Sequence, residues 1–243
     1  MFLKRITLLR DDISSFYQYP FSIPSIKALD DLKLESRVTF FVGENGSGKS
    51  TLMEAIADKC EFNTAGGGRN NRFEVHASDS KLSNFIRLSW FPKTTNGFFL
   101  RAESFYHFAT YIDEIDDPLK YSNYGGQSLH KQSHGESFLS LFLNRFNGNA
   151  LYLLDEPEAA LSPARQLTFL KIIHDLVEQE NSQFIIATHS PILLGYPNAD
   201  IFSFDQGQIS KINYESTDHY QITKYFLHNR EKFLSELFKE EDD

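Results

Sequence analysis

A chain of 243 residues with 41% hydrophobic and 14% aromatic side chains can bury one substantial core, and a second full domain would be a squeeze, so one domain with insertions is expected. A formal charge of −9 excludes a chain-wide electrostatic preference for nucleic acid, which needs clustered Lys and Arg, and leaves room only for a local basic groove. The single cysteine, Cys60, rules out an intrachain disulfide or a cysteine metal cage and points to a reducing, cytoplasmic setting, and no run approaches the roughly 18 apolar residues of a membrane span.

Residues 2–9 and 38–42 read as strands, and the segment between them carries Tyr17, Tyr19, Pro20, Phe21 and Pro24, which break any long element. Together they predict an antiparallel lead-in to the second of these strands. A helix follows from Ser50 to about Lys59. The glycines and asparagines of Gly66, Gly67, Gly68, Arg69, Asn70, Asn71 and Arg72 favour an open loop. Residues 73–77, 84–91 and 97–101 alternate as strands do, whereas 104–115 has helical spacing through Phe105, Phe108, Ala109 and Ile112. A polar stretch, 116–132, predicts a loop. From Glu136 to Phe146 the apolar positions Phe138, Leu139, Phe142, Leu143 and Phe146 recur at three and four, the mark of a helix with one buried face. Ala150–Leu154 and Phe184–Ala187 are short, continuous apolar runs of the kind found in buried parallel strands, and a helix with Pro163 in its first turn lies between them. This order predicts an α/β fold with chemistry at the carboxyl ends of the strands. The acidic end, Lys239 to Asp243, reads as a solvated tail.

Gly43, Glu44, Asn45, Gly46, Ser47, Gly48, Lys49, Ser50 and Thr51 fit G-x-x-x-x-G-K-[ST] between an apolar run and a helix-forming stretch. Such a loop turns backbone N–H groups inward around phosphates and adds the positive end of the following helix. Lys49 is placed to meet the β- and γ-phosphates of a nucleoside triphosphate and Ser50 to offer its hydroxyl to Mg²⁺. The partner such a loop needs is a carboxylate at the end of a buried strand, and Asp155 and Glu156 supply two. Asp155 would hold Mg²⁺, directly or through water. Glu156 would point away from the metal ligand in an extended chain and act as general base toward water, a pairing suited to hydrolysis. Ser133 and Gly135, at the predicted start of a helix, can form a second anion site, although simple helix capping by Ser133 with Glu136 would use the same residues.

Taken together, the phosphate loop, the segment Ser133 to Ser137, Asp155-Glu156-Pro157-Glu158 and Thr188-His189-Ser190-Pro191 resemble the nucleotide-binding domain of ABC-type ATPases, in order and rough spacing along nearly the whole chain. The resemblance implies a P-loop fold with a mostly parallel core sheet flanked by helices, an antiparallel β lead-in and a helical signature subdomain at about 104–146, inserted in a single domain spanning 1–243. It implies ATP and Mg²⁺ as ligands, with Asn45, Gly46, Ser47, Gly48, Lys49, Ser50 and Thr51 around the phosphates. Ser50 and Asp155 fall at the metal, and Lys49, Glu156 and His189 in the chemistry. Ser133 and Gly135 match the signature that contacts the γ-phosphate bound by another subunit, so the resemblance implies an ATP-dependent, head-to-tail homodimer. Gly125-Gly126-Gln127 mimics part of that signature but lies too far upstream of Asp155.

The departures bear on the subfamily. Ser162 stands where transporters place an aspartate, and Phe98 to Ser104 contains no glutamine for a glutamine loop, leaving Glu103 or Arg101 for that role. Phe16, Tyr17, Tyr19 and Phe21 are candidates to stack on adenine, although packing in the core is the more common fate of each. Arg69, Arg72 and Arg101 could contact phosphate or DNA, or serve as surface or ion-paired arginines. The resemblance is nearest to small stand-alone bacterial ATPases, often labelled AAA-family, and implies a switch in a DNA-associated or defence-associated setting acting through a separate effector chain. The alternatives are the ATP-driving subunit of a membrane transporter and a nucleotide-dependent binding module with negligible turnover.

Overall fold

Two sheets share the chain. The computed structural model describes residues 1–69, 81–146 and 148–239, with Lys81 and His134 described by their backbone alone. In chain order the elements are β1 (Leu3–Leu8), α1 (Pro24–Ala28), β2 (Asp31–Lys33), β3 (Val38–Val42), α2 (Lys49–Lys59), β4 (Ile86–Trp90), β5 (Gly97–Arg101), α3 (Phe105–Glu114), α4 (His134–Arg145), β6 (Leu151–Asp155), α5 (Pro163–Glu178), β7 (Gln183–Ala187), α6 (Pro191–Leu194), β8 (Asp200–Ser203), β9 (Ser210–Ile212), α7 (Asp218–His228) and α8 (Arg230–Leu237). The larger sheet runs β5-β6-β7-β3-β8-β9, parallel except for the antiparallel pair β8 and β9.

Every residue of β3, β6 and β7 is buried, which is why these strands read as unbroken apolar runs. Alternate side chains of a strand point to opposite faces, so each strand serves two cores. Phe40, Tyr152, Leu154, Phe184 and Ile186 meet α3, α4 and α5 on one face, while Phe41, Leu153 and Ile185 meet α2 and the small sheet on the other. On the first face the apolar stripe of α4 buries Phe138 and Phe142, worth about 1.5–3 kcal/mol each. Phe142 packs on Phe169 at 4.4 Å and Phe146 stacks on Tyr152 at 3.9 Å between ring centroids. The stretch from Ala102 to Phe146 thus folds onto the sheet between β5 and β6.

The small sheet, β2-β1-β4, is antiparallel, with Ile6 opposite both Leu32 and Leu88. The expected antiparallel lead-in exists, yet the phosphate-loop strand does not join it: β3 pairs in parallel with β7 and β8. The two sheets are linked through the buried Gln183, whose Oε1 accepts from the N–H groups of Phe2 and Leu3, both at 2.8 Å, and whose Nε2 donates to Leu3 O at 2.9 Å.

The open loop expected at Gly66 to Gly68 is a second correction. Residues 65–68 are buried, and Gly67 forms an antiparallel bridge with Phe99, so the glycines allow close approach to β5 rather than exposure. The strand expected at 73–77, Arg72 and the end of the acidic tail from Glu240 lie outside the described residues. Beyond Pro191 the chain adds β8, β9, α7 and α8, which the motif order does not predict.

Candidate functional site

Strand ends bring the chemistry together. Val42 closes β3 and the chain enters a loop whose Gly48 takes φ +102, a left-handed conformation; a Cβ there would also lie 2.8 Å from Ser25 Oγ and 3.0 Å from Ile23 Cγ2. Gly48 is the N-cap of α2 and brings no side-chain cap, and the first turn of α2 holds no acidic residue. The helix therefore presents free N–H groups and its positive end to the loop. Lys49 is buried and donates from Nζ to Gly43 O at 2.6 Å and Glu44 O at 3.0 Å, with no ion pair among the described residues. Burial lowers its pKa against the opposing pull of Asp155 and Glu156. Ser47 Oγ is buried in the same loop without a hydrogen-bond partner. An ammonium held by carbonyls without an ion pair, an orphaned hydroxyl and free N–H groups are the donor set that a polyphosphate satisfies. Asn45 and Gly46 are exposed.

In the first turn of α2, Ser50 Oγ lies 3.3 Å from Asp155 Oδ1, at the end of β6. Two oxygens meeting at a strand end, one of them a buried carboxylate, suit a hard divalent cation that keeps several waters. Burial pushes the Asp155 carboxyl up to about 6, against the lowering influence of Arg101 and of the Ser50 hydrogen bond. Arg101 ends β5 with its Nη1 2.7 Å from Glu54 Oε1 and its Nε 3.8 Å from Asp155 Oδ2, and it also pairs with Glu103. Ser50, Arg101, Glu103, Asp155 and Glu156 line a cavity of about 60 Å³.

Glu156 departs from the expectation of an extended chain. It adopts φ 52, ψ 49, a left-handed conformation that costs a non-glycine residue about 1–2 kcal/mol. Its carboxylate comes within 3.7 Å of His189 Nε2, which follows the neighbouring strand β7. The backbone N–H of His189 donates to Glu158 Oε1 at 2.6 Å, and its Nδ1 lies 2.9 Å from Nε2 of His219, in the first turn of α7. Burial raises the Glu158 pKa in spite of the His189 N–H bond. Ser190 anchors the next helix: its Oγ accepts from the N–H groups of Ile192 and Leu193, capping α6, and donates to Gln166 at 2.5 Å.

Ser133 and Gly135 open α4 as expected, but no hydrogen bond or ion pair joins them to the phosphate loop within the described residues. The Glu136 carboxylate accepts from Ser133 N–H at 3.0 Å and from Ser133 Oγ at 2.5 Å. A Cβ at Gly135 would lie 2.1 Å from Arg165 Nη1 and 3.1 Å from Ala160 O, so the absence of a side chain lets α4 approach the turn after Glu156. Ser162, in place of an aspartate, accepts from Arg165 N–H as the N-cap of α5. Of the four aromatic candidates for adenine, Phe21 takes the core-packing alternative: it is 8% exposed and packs edge-on against Phe85. Phe16 lies edge-on to Phe21 under the Arg10 guanidinium. Tyr17 and Tyr19 are exposed, and the Tyr19 hydroxyl is 3.5 Å from Thr51 Oγ1. Arg69 is ion-paired with Glu61 at 3.1 Å.

Sequence reasoning missed four members of this region. Asp205, after β8, accepts from Glu44 N–H at 2.9 Å and steadies the phosphate loop. Glu54 holds Arg101, Glu158 holds the backbone of His189, and His219 meets its ring. Only Glu158 sits within a quoted motif; Glu54 lies on the helix predicted after the phosphate loop, and Asp205 and His219 lie in segments where the sequence predicts no element.

Similarity to known proteins bears directly on this arrangement. Residues 126–194 match the family model described as an AAA ATPase domain. The "Probable ATP-dependent transporter ycf16" of Antithamnion sp. is 30% identical over 195 residues, which cover 69% of this chain and 76% of that protein. This chain belongs to the ABC-type ATPases. Protein ea59 of Escherichia phage lambda is 47% identical over 70 residues, 27% of this chain and 13% of that protein. Among solved structures, an ATP-binding cassette of an ABC transporter in its ADP conformation aligns with 17% identity and a TM-score of 0.48, covering 98% of this chain and 100% of the other. As an ABC-type ATPase the chain binds ATP, and the loop around Lys49 has the donors for its phosphates. Among the described residues no helix is long and apolar enough to cross a membrane.

Proposed function

We propose that this chain hydrolyses ATP to ADP and phosphate with Mg²⁺, at a site completed by a second copy of itself. The observation that carries the reading is the meeting of Glu156 and His189, 3.7 Å apart at the ends of neighbouring strands, beside the Ser50–Asp155 pair. The loop from Asn45 to Thr51 binds the phosphates, with Lys49 drawn from its own carbonyls toward the β- and γ-oxygens. Ser50 and Asp155 hold the metal, which when bound offsets charge on those oxygens. Glu156 takes the proton of the attacking water at a carboxylate oxygen, and His189 donates from Nε2 to the γ-phosphate side. Ser133 and Gly135, at the positive end of α4, reach the γ-phosphate held by the other copy, which explains why they make no contact with the loop of their own. ATP then joins two copies and hydrolysis releases them. The single domain, with residues 104–146 as its signature-bearing insertion, is part of the same proposal.

The switch acts on a separate partner chain. A DNA-associated or defence-associated setting rests on the Asp155–Glu158 and Thr188–Pro191 sequence forms alone. Similarity to the Antithamnion protein supports the alternative, the ATP-driving subunit of a transporter. Co-purification with a membrane protein, and turnover that depends on it, would favour that alternative.

Glu156→Gln tests the chemistry. The variant is expected to bind Mg-ATP, to shift from monomer to dimer in light scattering, and to lose phosphate release by about 10²-fold or more. Turnover at the parental rate would refute Glu156 as the base. No shift and no turnover in the parent would leave a nucleotide-dependent binding module.

A further inference from the structure

We propose that His219 is a positioning residue that holds His189 in the tautomer with its proton on Nε2. His189 Nδ1 and His219 Nε2 are 2.9 Å apart, a distance at which one proton lies between them, so one ring donates and the other accepts. Which ring donates is decided by the two far nitrogens. His219 Nδ1 and His189 Nε2 are both buried and make no hydrogen bond. If His189 donated from Nδ1, His219 would carry its proton on Nδ1, a buried N–H with no acceptor, and orphaned donors are costlier and rarer than orphaned acceptors. A neutral His189 would also turn the Nε2 lone pair toward the Glu156 carboxylate 3.7 Å away, which is repulsive. The opposite polarity also leaves one buried N–H without a hydrogen bond, His189 Nε2–H, but sets it toward the Glu156 carboxylate 3.7 Å away, so the repulsion becomes an attraction: His219 Nε2–H donates to His189 Nδ1, and the bare far nitrogen is His219 Nδ1.

The surroundings keep His219 neutral and in place. Burial lowers its pKa, followed by the nearby His189 and Lys49, while Asp205 and Asp218 pull the other way. It lies in the first turn of α7, whose positive end disfavours an imidazolium. That turn is pinned twice: Thr217 caps it by accepting from Tyr220 N–H, and Tyr214 Oη, just before it, donates to Pro191 O at 2.9 Å beside the His189 segment. The C-terminal helix α7 therefore sets the donor that His189 presents at the site. The kinetic consequence rests on the hydrolytic reading above; the tautomer does not.

The test uses the nucleotide-free full chain with ¹⁵N-labelled histidine, at a pH well above the ordinary histidine pKa of about 6.5. The His189 signals are assigned by their loss in His189→Gln. The expected spectrum has His189 protonated on Nε2 and bare on Nδ1. In His219→Phe that preference is lost, kcat falls about tenfold, the low end of what losing an imidazole's outer partner costs at metal sites, and KM for ATP changes less than kcat. His219→Gln, whose amide N–H can donate to Nδ1, restores both, and it decides the matter if His219→Phe fails to fold. A parental His189 protonated on Nδ1, or a His219→Phe protein with unchanged tautomer and kcat, would overturn the proposal. A parent without turnover would remove the hydrolytic reading, and the spectrum would still decide the tautomer.

Discussion

Asp155 shows how one side chain sets stability against function. Its carboxyl is held at about 6 because burial disfavours the ionised form more than Arg101 and Ser50 favour it. A folded-state value above the unfolded one means that the protonated carboxyl favours the fold below about 4 and that this contribution is lost as pH rises through about 6. At neutral pH the ionised group thus costs the nucleotide-free protein up to about 3 kcal/mol. Asp155→Asn is expected to raise the urea midpoint of the metal-free protein at about pH 8, to change it little at about pH 4, and to abolish turnover. An equal gain at both values would show that the carboxylate is not the source of the cost. The left-handed Glu156 next to it fits the same pattern, since strained residues persist where the surrounding structure over-determines them.

Helix α4 carries two roles in one first turn. The Glu136 carboxylate accepts from both the backbone N–H and the hydroxyl of Ser133 and stops the helix from fraying, and the same Ser hydroxyl is the proposed contact to the γ-phosphate of another copy. The roles separate by substitution. Ser133→Ala is expected to lose about 1 kcal/mol of stability with the cap. It should also lose the ATP-dependent dimer of the Glu156→Gln background. Glu136→Ala removes the acceptor of both bonds but leaves the hydroxyl, so it should lower the thermal midpoint and keep the dimer. If light scattering finds the dimer equally weakened in both, Ser133 acts through the helix alone. Helix α2 has no such division: with Gly48 as its cap and no acidic first turn, its N-terminus is left to the ligand.

Across the whole molecule, the site depends on two sheets being held in register. Gln183, fully buried at the start of β7, bonds Phe2 and Leu3 across 181 and 180 residues of sequence and ties the small sheet to the strand that leads to His189. Gln183→Met keeps the volume but leaves two N–H groups and a carbonyl unpaired, for an expected loss of about 2–4 kcal/mol in urea unfolding. A loss below about 0.5 kcal/mol would mean that the sheets are held by packing alone. Asp200 makes a second long tie. Burial would raise its pKa, but bonds from Lys211 and from the Glu35 and Ser36 N–H groups bring it below its usual value, fixing the entry to β3 against β8.

The sequence by itself determined what adjacent residues encode: the phosphate loop from Gly43 to Thr51, the buried strands ending in Asp155 and Ala187, the capped start of α4 and the start of α5 at Pro163. These are local because a turn, a cap or a fully buried strand imposes its residue types on consecutive positions. Tertiary structure alone decided which distant groups meet them. His219 reaches His189 across 30 residues, Asp205 reaches the Glu44 N–H across 161, and Arg101 reaches Glu54 across 47. None of these pairs lies on one helix face or strand, so no period marks it in the sequence; they exist because the sheet order sets β7 and β8 on either side of β3, the fold brings α7 back to the strand ends, and the end of β5 meets α2.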